Sequence, residues 1–174
     1  MKLLIGAYSQ ITNAEPMPVY ERALQTVCKP LLTHLHAREN TILQLSLSIP
    51  LLEWFDTNHS SMSLLIADLA KNGKLEMLTG SFHQSILSLL SPKDRSNQIE
   101  MTTTYLRKRF GQRSKTLFSY GQIFSPLYIN TANLCFIDSI ITSTSFDGDS
   151  FNQQFREPFI MQEIGKSVSI IPID

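Results

Sequence analysis

The hydrophobic positions of this chain alternate between two periods, one typical of buried strands and the other of amphipathic helices. Between the strand-like segments, apolar residues recur at helical spacing, as in the stripe Tyr20, Leu24, Val27, Leu31 and Leu35. The pattern therefore predicts strands and helices that take turns along the chain. The predicted strands are Lys2 to Ala7, Thr41 to Leu47, Leu75 to Thr79, Thr116 to Ser119 and Phe136 to Thr142.

Capping signals locate the ends of several helices. Serine precedes a proline-containing first turn at Ser48, Ser91 and Ser125, and each of these positions predicts a helix N-terminus. Glycine predicts the helix ends at Asn72-Gly73 and at Gly111. The order β, α, β, α thus continues up to Ser143.

The part of the chain after Ser143 departs from this pattern. Asp147-Gly148-Asp149 predicts a turn, since it lacks the further ligands and the terminal Glu of a calcium loop. Phe159 to Glu163 and Ser167 to Ile171 flank Gly165, which predicts a hairpin or an excursion before one more strand.

This order of elements predicts an α/β protein with mostly parallel strands, either an open doubly wound sheet or part of a β/α barrel. At 174 residues and 19.7 kDa, we expect a single domain over residues 1–174. Both architectures place function at the carboxyl ends of the strands. The residues there are polar but almost uncharged: Tyr8-Ser9-Gln10, Ser46-Leu47-Ser48, Phe82-His83-Gln84, Tyr120-Gly121-Gln122 and Ser143-Thr144-Ser145.

Charge and cysteine usage exclude several classes of partner. Fifteen Lys and Arg residues balance fifteen Asp and Glu residues, so the chain lacks the positive field that nucleic acids or anionic membranes need. The apolar run at the N-terminus is too short for a signal peptide, and no window reaches the length of a membrane span. Cys28 and Cys135 are far apart and outside any C-x-x-C pair. We expect a cytoplasmic protein with no nucleic-acid or membrane partner.

Groups for catalysis are missing from the strand ends. None of them carries Asp or Glu, so a general acid and base cannot be paired there. The four histidines, His34, His36, His59 and His83, lack the grouping of a metal site. Only His83 follows a strand, where it either donates to a ligand hydroxyl or is an ordinary loop residue. We therefore predict no metal and no cofactor.

Four sequence blocks, in this order, resemble a known family. They are similar to the amino-terminal part of the catalytic barrel of glycoside hydrolase family fifty-seven, the α-amylase and 4-α-glucanotransferase group. The resemblance covers nearly the whole chain and implies an incomplete (β/α)7 barrel, so it favours part of a (β/α)7-type barrel over an open sheet. The blocks are Pro50 to Trp54, Lys74 to Gly80, Asp94-Arg95 with Gln98 to Met101, and Ile170 to Asp174.

The sequence departs from the family pattern where the resemblance implies chemistry. The His-x-His-Gln-Pro motif after the first strand reads Ala7-Tyr8-Ser9-Gln10-Ile11, so only Gln10 remains. A family histidine is replaced by Ser46, and a substrate-contacting glutamate is replaced by Gln84. The nucleophilic glutamate falls on Gly121, and the acid/base aspartate lies beyond Asp174. The resemblance thus implies a catalytically inactive protein related to α-glucan processing, with no catalytic residue of its own.

Three functions remain open. The first is oligosaccharide binding, because aromatic faces stack on sugar rings while amides bind hydroxyls. The second is an assembly module, in which another protomer or a partner chain covers the open sheet edges of a partial barrel. The third is an α-glucan hydrolase or 4-α-glucanotransferase that needs further sequence. The predicted substrate-binding residues are Gln10, His83, Gln84, Tyr120, Gln122 and Phe124.

Overall fold

A computed structural model describes residues 6–123, 125–143, 157–163 and 165–173. The chain divides into two compact units. The first unit comprises Met1–Met77 and Tyr105–Arg113, and the second comprises Leu78–Thr104 and Ser114–Asp174. The expectation of a single domain remains a prediction.

In its described residues, the first unit contains a parallel three-stranded sheet, four helices and the last turns of a fifth helix. Strands β1 (Gly6–Ser9), β2 (Leu43–Leu47) and β3 (Leu75–Met77) lie in that order. Residues 43, 45, 75 and 77 are buried, since they form the face that packs in the core. On the opposite face, the Gln44 amide donates to Glu76 Oε2 at 2.9 Å. The helices are α1 (Met17–Ala23), α2 (Lys29–Ala37), α3 (Ile49–Asn58) and α4 (Ser60–Lys71).

A π-helical segment, Leu24–Cys28, joins α1 to α2. The extra residue in this turn shifts the buried stripe by one position. Cys28 and Leu32 are buried, whereas Val27 is 56% exposed. The predicted stripe is therefore wrong at Val27, although Leu35 further along it is buried, because a regular period of 3.6 residues does not anticipate the insertion.

The second unit contains a mixed four-stranded sheet. Its strands are β4 (Thr116–Phe118), β5 (Ser139–Ser143), β6 (Phe159–Glu163) and β7 (Lys166–Ile173), in the order β4-β5-β7-β6. Strands β4, β5 and β7 are parallel, and β6 pairs antiparallel with β7 across a turn at Gly165. The predicted hairpin is thus confirmed.

Helices α5 (Pro92–Phe110) and α6 (Leu127–Leu134) complete the fold, and residues 92–104 of α5 belong to the second unit. Ser91 caps α5 as predicted, because its hydroxyl accepts from the Asp94 backbone N–H at 3.2 Å. Ser48 occupies the N-cap position of α3, but its side chain makes no capping hydrogen bond. The core of this unit is formed by Leu87, Ile99, Leu117, Tyr128, Ile129, Ala132, Ile137, Ile140, Val168 and Ile170.

All five predicted strands have different bounds in the structure, and three of them, β2, β3 and β4, are one or two residues shorter than predicted. The first described strand begins at Gly6 and continues to Ser9, and residues 2–5 lie outside the described ranges. The fifth strand begins at Ser139 rather than Phe136, because Phe136 has a positive φ of 59° and is 67% exposed in the turn after α6. Within the described ranges, no helix combines the length and the hydropathy needed to cross a membrane.

An ion pair in the first unit gives a prediction about acid stability. Arg109 contacts Asp56 Oδ1 through two nitrogens, at 2.8 and 2.7 Å, and the Tyr105 hydroxyl donates to Asp56 Oδ2 at 3.2 Å. Burial alone would raise the pKa of Asp56, but the hydrogen bonds and charge of Arg109, with the Tyr105 hydroxyl, hold it below its usual value of 3.8. Its stabilising effect is therefore complete above pH 3.8 and is lost as the pH falls toward the lower folded value.

We expect Asp56→Asn to lower the free energy of unfolding by about 1 kcal/mol near neutral pH, with a smaller difference near pH 3. Urea unfolding at the two pH values measures this. Asp138→Asn is the control, since Asp138 is 64% exposed in a surface pair with Lys115. A difference between Asp56→Asn and the wild type that does not change with pH would contradict the ion pair's role.

Candidate functional site

The end of β4 lies beside the chain segment that contains Thr79. The Thr79 N–H donates to the Thr116 carbonyl at 2.9 Å, and the Phe118 N–H donates to the Thr79 carbonyl at 2.8 Å. Residue 79 therefore pairs in parallel with Leu117. Because the pairing is parallel, the 80–85 loop and the 119–123 turn leave the sheet at the same edge. These two segments form the candidate site of the second unit.

Gln98 of α5 holds the 80–85 loop in place. Its Oε1 atom accepts from the Ser81 hydroxyl at 3.1 Å and from the His83 backbone N–H at 2.9 Å. The Ser81 hydroxyl in turn accepts from the Ser85 N–H at 2.9 Å. Gln98 thus holds the start and the middle of the turn that carries the predicted ligand-binding residues, and Ser81 holds its end at Ser85. Sequence analysis placed Gln98 only in a family-like block, and its half-buried position on a helix gave no further signal.

The predicted residues of the loop are placed at its surface. His83 is exposed, and its ring lies edge-on to that of Phe82, with centroids 5.0 Å apart. Gln84 is half-buried and has a positive φ of 56°, a conformation that side-chain-bearing residues rarely adopt. The Gln84 N–H donates to the Ser81 carbonyl at 3.1 Å, which closes the turn. His83 and Gln84, which are adjacent in the sequence, therefore both lie in this turn.

The 119–123 turn is anchored at its first residue. Ser119 is fully buried, and its hydroxyl donates to the Ile123 carbonyl at 2.6 Å. Tyr120 is half-buried, and Gly121 has a φ of +70°. A Cβ added to Gly121 would meet the Ile123 side chain at 3.6 Å, an ordinary contact, so the backbone conformation rather than space favours glycine. Phe124 and the side chain of Gln122 lie outside the described residues.

Gln10 lies in the first unit, whereas His83, Gln84 and Tyr120 lie in the second. It directly follows β1 and is half-buried. The Ser48 N–H donates to the Ser9 carbonyl at 3.1 Å, which fixes the strand end next to it. That Gln10 contacts the same ligand remains a prediction.

The two segments of the candidate site carry no carboxylate, so they cannot supply the pair of carboxyl groups that retaining glycoside hydrolysis uses. Neither the 80–85 loop nor the 119–123 turn contains Asp or Glu. Their amide, imidazole and phenol groups suit a neutral ligand that carries hydroxyls. In the described part of the chain, no three His, Cys, Asp or Glu residues are grouped so that they could hold a metal ion. Burial raises the pKa of Cys28 and of Cys135 to about 11, which keeps both thiols protonated near neutral pH.

Comparisons with known proteins agree with this fold. The family model described as Glycosyl hydrolase family 57 matches residues 1–162. Alpha-amylase 1 of Dictyoglomus thermophilum is 24% identical over 160 residues, which cover 89% of this chain and 23% of that protein. The 4-alpha-glucanotransferase of Thermococcus litoralis is 24% identical over 170 residues, which cover 94% and 26%. The chain thus spans about a quarter of the length of these relatives.

Solved structures show the same likeness. The crystal structure of the Thermococcus litoralis 4-alpha-glucanotransferase matches with a TM-score of 0.87 at 22% identity, over 98% of this chain and 27% of that one. A GH57 branching enzyme from Thermococcus kodakaraensis matches with a TM-score of 0.78 at 10% identity, over 98% and 47%. The predicted fold class, α/β with mostly parallel strands as part of a (β/α)7-type barrel, is confirmed.

Proposed function

Because the chain belongs to glycosyl hydrolase family 57, we propose that it binds α-glucan oligosaccharides without hydrolysing them. Curated relatives are named alpha-amylase and 4-alpha-glucanotransferase, which supports a ligand built of α-linked glucose. The observation that carries the proposal is Gly121, a residue without a side chain at the position where the family resemblance implies the nucleophile.

Loss of the carboxylate removes the reaction. Retaining glycoside hydrolysis needs two carboxyl groups about 5 Å apart, one to attack the sugar and one to transfer the proton. The residues around Gly121 are Ser119, Tyr120 and Gln122, and none of them can form a stable glycosyl ester in the place of a carboxylate. Binding without turnover is the function that this site supports best.

The arrangement of the 80–85 loop supports binding. Ser81 and the His83 backbone share one acceptor on Gln98, so the loop is ordered by bonds that do not involve a ligand. A loop that is already ordered loses less conformational entropy when a ligand binds. The Gln84 amide offers both a donor and an acceptor to sugar hydroxyls, and the rings of Phe82 and Tyr120 offer apolar faces.

Two substitutions at position 84 test the proposal. We expect Gln84→Gly to weaken binding of maltotetraose at least about fivefold, since it removes the amide, as measured by titration calorimetry. Glycine adopts a φ of 56° without strain, so this variant stays folded. Gln84→Asn is the matched variant, because it keeps an amide and asparagine tolerates this conformation. Equal affinities for the wild type and Gln84→Gly, or no binding by the wild type, would refute the proposed site.

Restoring a carboxylate at position 121 is not expected to restore hydrolysis. Gly121→Glu places a side chain on a backbone with φ of +70°, which costs about 1 kcal/mol of stability, and neither the 80–85 loop nor the 119–123 turn holds a second carboxyl group to act with it. Urea unfolding and the release of reducing ends from a maltodextrin measure the two effects. Gly121→Ala is the control for the backbone strain. Turnover by Gly121→Glu but not by the wild type would show that the chain supplies a partner acid and that Gly121 alone prevents hydrolysis. Turnover by the wild type would overturn the inactive assignment.

A second candidate function is assembly, and one observation favours it. Strand β6 lies at an edge of its sheet, and Ile160 on that strand is 75% exposed. An exposed apolar edge strand can pair with another chain, either a second copy or a partner. Sedimentation of the purified chain tests this function, since association that Ile160→Lys abolishes would support it. A particle that is monomeric at every concentration would count against it.

A cytoplasmic location is also part of the proposal. Both cysteines are free, Cys28 buried and Cys135 half-buried, as in proteins of reducing compartments. Fractionation of cells that express the natural protein would test the location.

A further inference from the structure

A second, shallow groove, with mostly apolar walls and polar side chains along its edge, lies in the first unit, between α1 and the C-terminal end of α3. Its volume is about 670 Å³, which is large enough for a small oligosaccharide. Met17 and Pro18 contribute apolar surface from α1, and Trp54 contributes its indole from α3. None of these residues belongs to the loops around Gln84.

Trp54 is held by an aromatic cluster. Its ring centroid lies 5.5 Å from that of Tyr20 and 5.7 Å from that of Phe55, and both of these residues are buried. The His59 ring lies on the groove, 4.7 Å from the indole. The indole Nε1–H is buried and has no acceptor among the described residues. Trp54 is therefore a half-buried aromatic residue that neighbouring rings hold in place.

The polar edge of the groove is also fixed. The Gln25 amide donates to Glu21 Oε1 at 2.9 Å, and His59 Nε2 lies 3.1 Å from Glu21 Oε2. The hydrogen bond from Gln25 lowers the pKa of Glu21 most, and the contact with His59 lowers it further. The Asn58 amide nitrogen donates to the Trp54 carbonyl at 3.1 Å, which sets the orientation of the amide beside the groove.

The backbone at this edge is unusual. Gln25 lies in the π-helical segment Leu24–Cys28, in which the Lys29 N–H bonds to the Leu24 carbonyl five residues earlier. Such segments are rare and occur often at functional sites. This observation is independent of the side chains, and it points to the same place.

We infer that this groove is a separate binding site for a neutral oligosaccharide of two or three sugar units. The flat indole suits a sugar ring, and the carboxylate and amides of Glu21, Gln25 and Asn58 suit its hydroxyls. Glu21 and Arg22 carry opposite charges, so the groove has no excess of either sign and does not favour a polyanion. The inference goes beyond the proposed function, since it concerns a different unit and does not depend on the site around Gln84.

The protein contains a single tryptophan, so its fluorescence reports on this groove directly. We expect maltotriose to change the emission of Trp54 in a saturable manner, with a dissociation constant of about 1 mM, as suits a shallow groove. Asn58→Ala should weaken this binding at least about fivefold, because it removes an amide from the groove. Thr57→Ala is the matched control, since Thr57 makes the same kind of bond, to the Glu53 carbonyl at 3.0 Å, but does not line the groove.

Three results would overturn the inference. One is the absence of a saturable change in Trp54 emission up to about 50 mM maltotriose. Another is an equal response from Asn58→Ala and Thr57→Ala. The third is loss of the response in Gln84→Gly, which would assign the signal to the other unit. A saturable response that persists in Gln84→Gly would support this groove even if the proposed site around Gln84 failed its own test.

Discussion

Replacing Arg95 with methionine is expected to lower the free energy of unfolding by about 4 kcal/mol. Arg95 is only 4% exposed, and its guanidinium donates to backbone carbonyls rather than to a carboxylate. The acceptors are Leu87 at 2.9 Å, Leu90 at 3.1 Å and Leu127 at 3.1 Å. One side chain therefore joins the segment before α5 to the start of α6 within the second unit.

The size of this effect follows from the hydrogen bonds that are lost. Methionine fills much of the same volume but removes a charged donor from three carbonyls, and a hydrogen bond to a charged group contributes about 1.5–3 kcal/mol. Relief from burying a charge offsets part of this cost. Urea unfolding measures the change, with Arg107→Met as the control, because Arg107 is exposed on the same helix. Similar losses in the two variants would show that Arg95 does not join these segments.

Replacing Gln98 with alanine is expected to weaken maltotetraose binding about tenfold while the chain stays folded. Gln98 is a positioning residue in this account, since it contacts the Ser81 hydroxyl and the His83 N–H rather than the sugar. Its loss leaves the 80–85 loop free to adopt other conformations, and the ligand must then order the loop as it binds. Titration calorimetry of the two proteins measures the difference.

A conservative variant separates positioning from general stability. Gln98→Glu keeps an oxygen acceptor for both donors, so we expect it to retain near wild-type affinity. Asn97→Ala is the control on the same helix, because Asn97 is exposed. If Gln98→Ala and Gln98→Glu bind maltotetraose equally well, the hydrogen bonds from Gln98 to the 80–85 loop have no role in binding.

The order of strands and helices was predicted correctly from the spacing of hydrophobic residues, because this spacing differs between buried strands and amphipathic helices. The hairpin also followed, since the turn residue Gly165 separates two strand-like segments and adopts a positive φ. These features are local in sequence, and short-range chemistry determines them.

Features that depend on an inserted residue or on a distant partner could not be predicted from the sequence. The π-helical segment shifted the buried stripe from Val27 to Cys28, and no residue type marks such an insertion in advance. Phe136 has the hydropathy of a strand residue but lies exposed in a turn. Hydropathy alone cannot distinguish these two environments.

The location of the candidate site could be predicted from the sequence, but the hydrogen bonds that hold its loop could not. Strand ends gave His83, Gln84 and Tyr120, because parallel strands bring their carboxyl ends to one edge. The role of Gln98 in holding the 80–85 loop was not predicted, because Gln98 lies on a helix and its partners are 17 and 15 residues away in the sequence. The bond from Gln44 to the half-buried Glu76 was not predicted either, because it joins two strands that are 32 residues apart in the sequence.

The central claim is that this member of glycosyl hydrolase family 57 binds α-glucan oligosaccharides and does not hydrolyse them. Calorimetric titration of the wild-type chain with maltotetraose tests both halves at once, because binding gives a saturable heat and turnover gives a heat that continues after saturation. Binding without turnover would give saturable heat at about millimolar ligand, with a return to the baseline after each injection. The absence of heat, or continuing heat from hydrolysis, would contradict it.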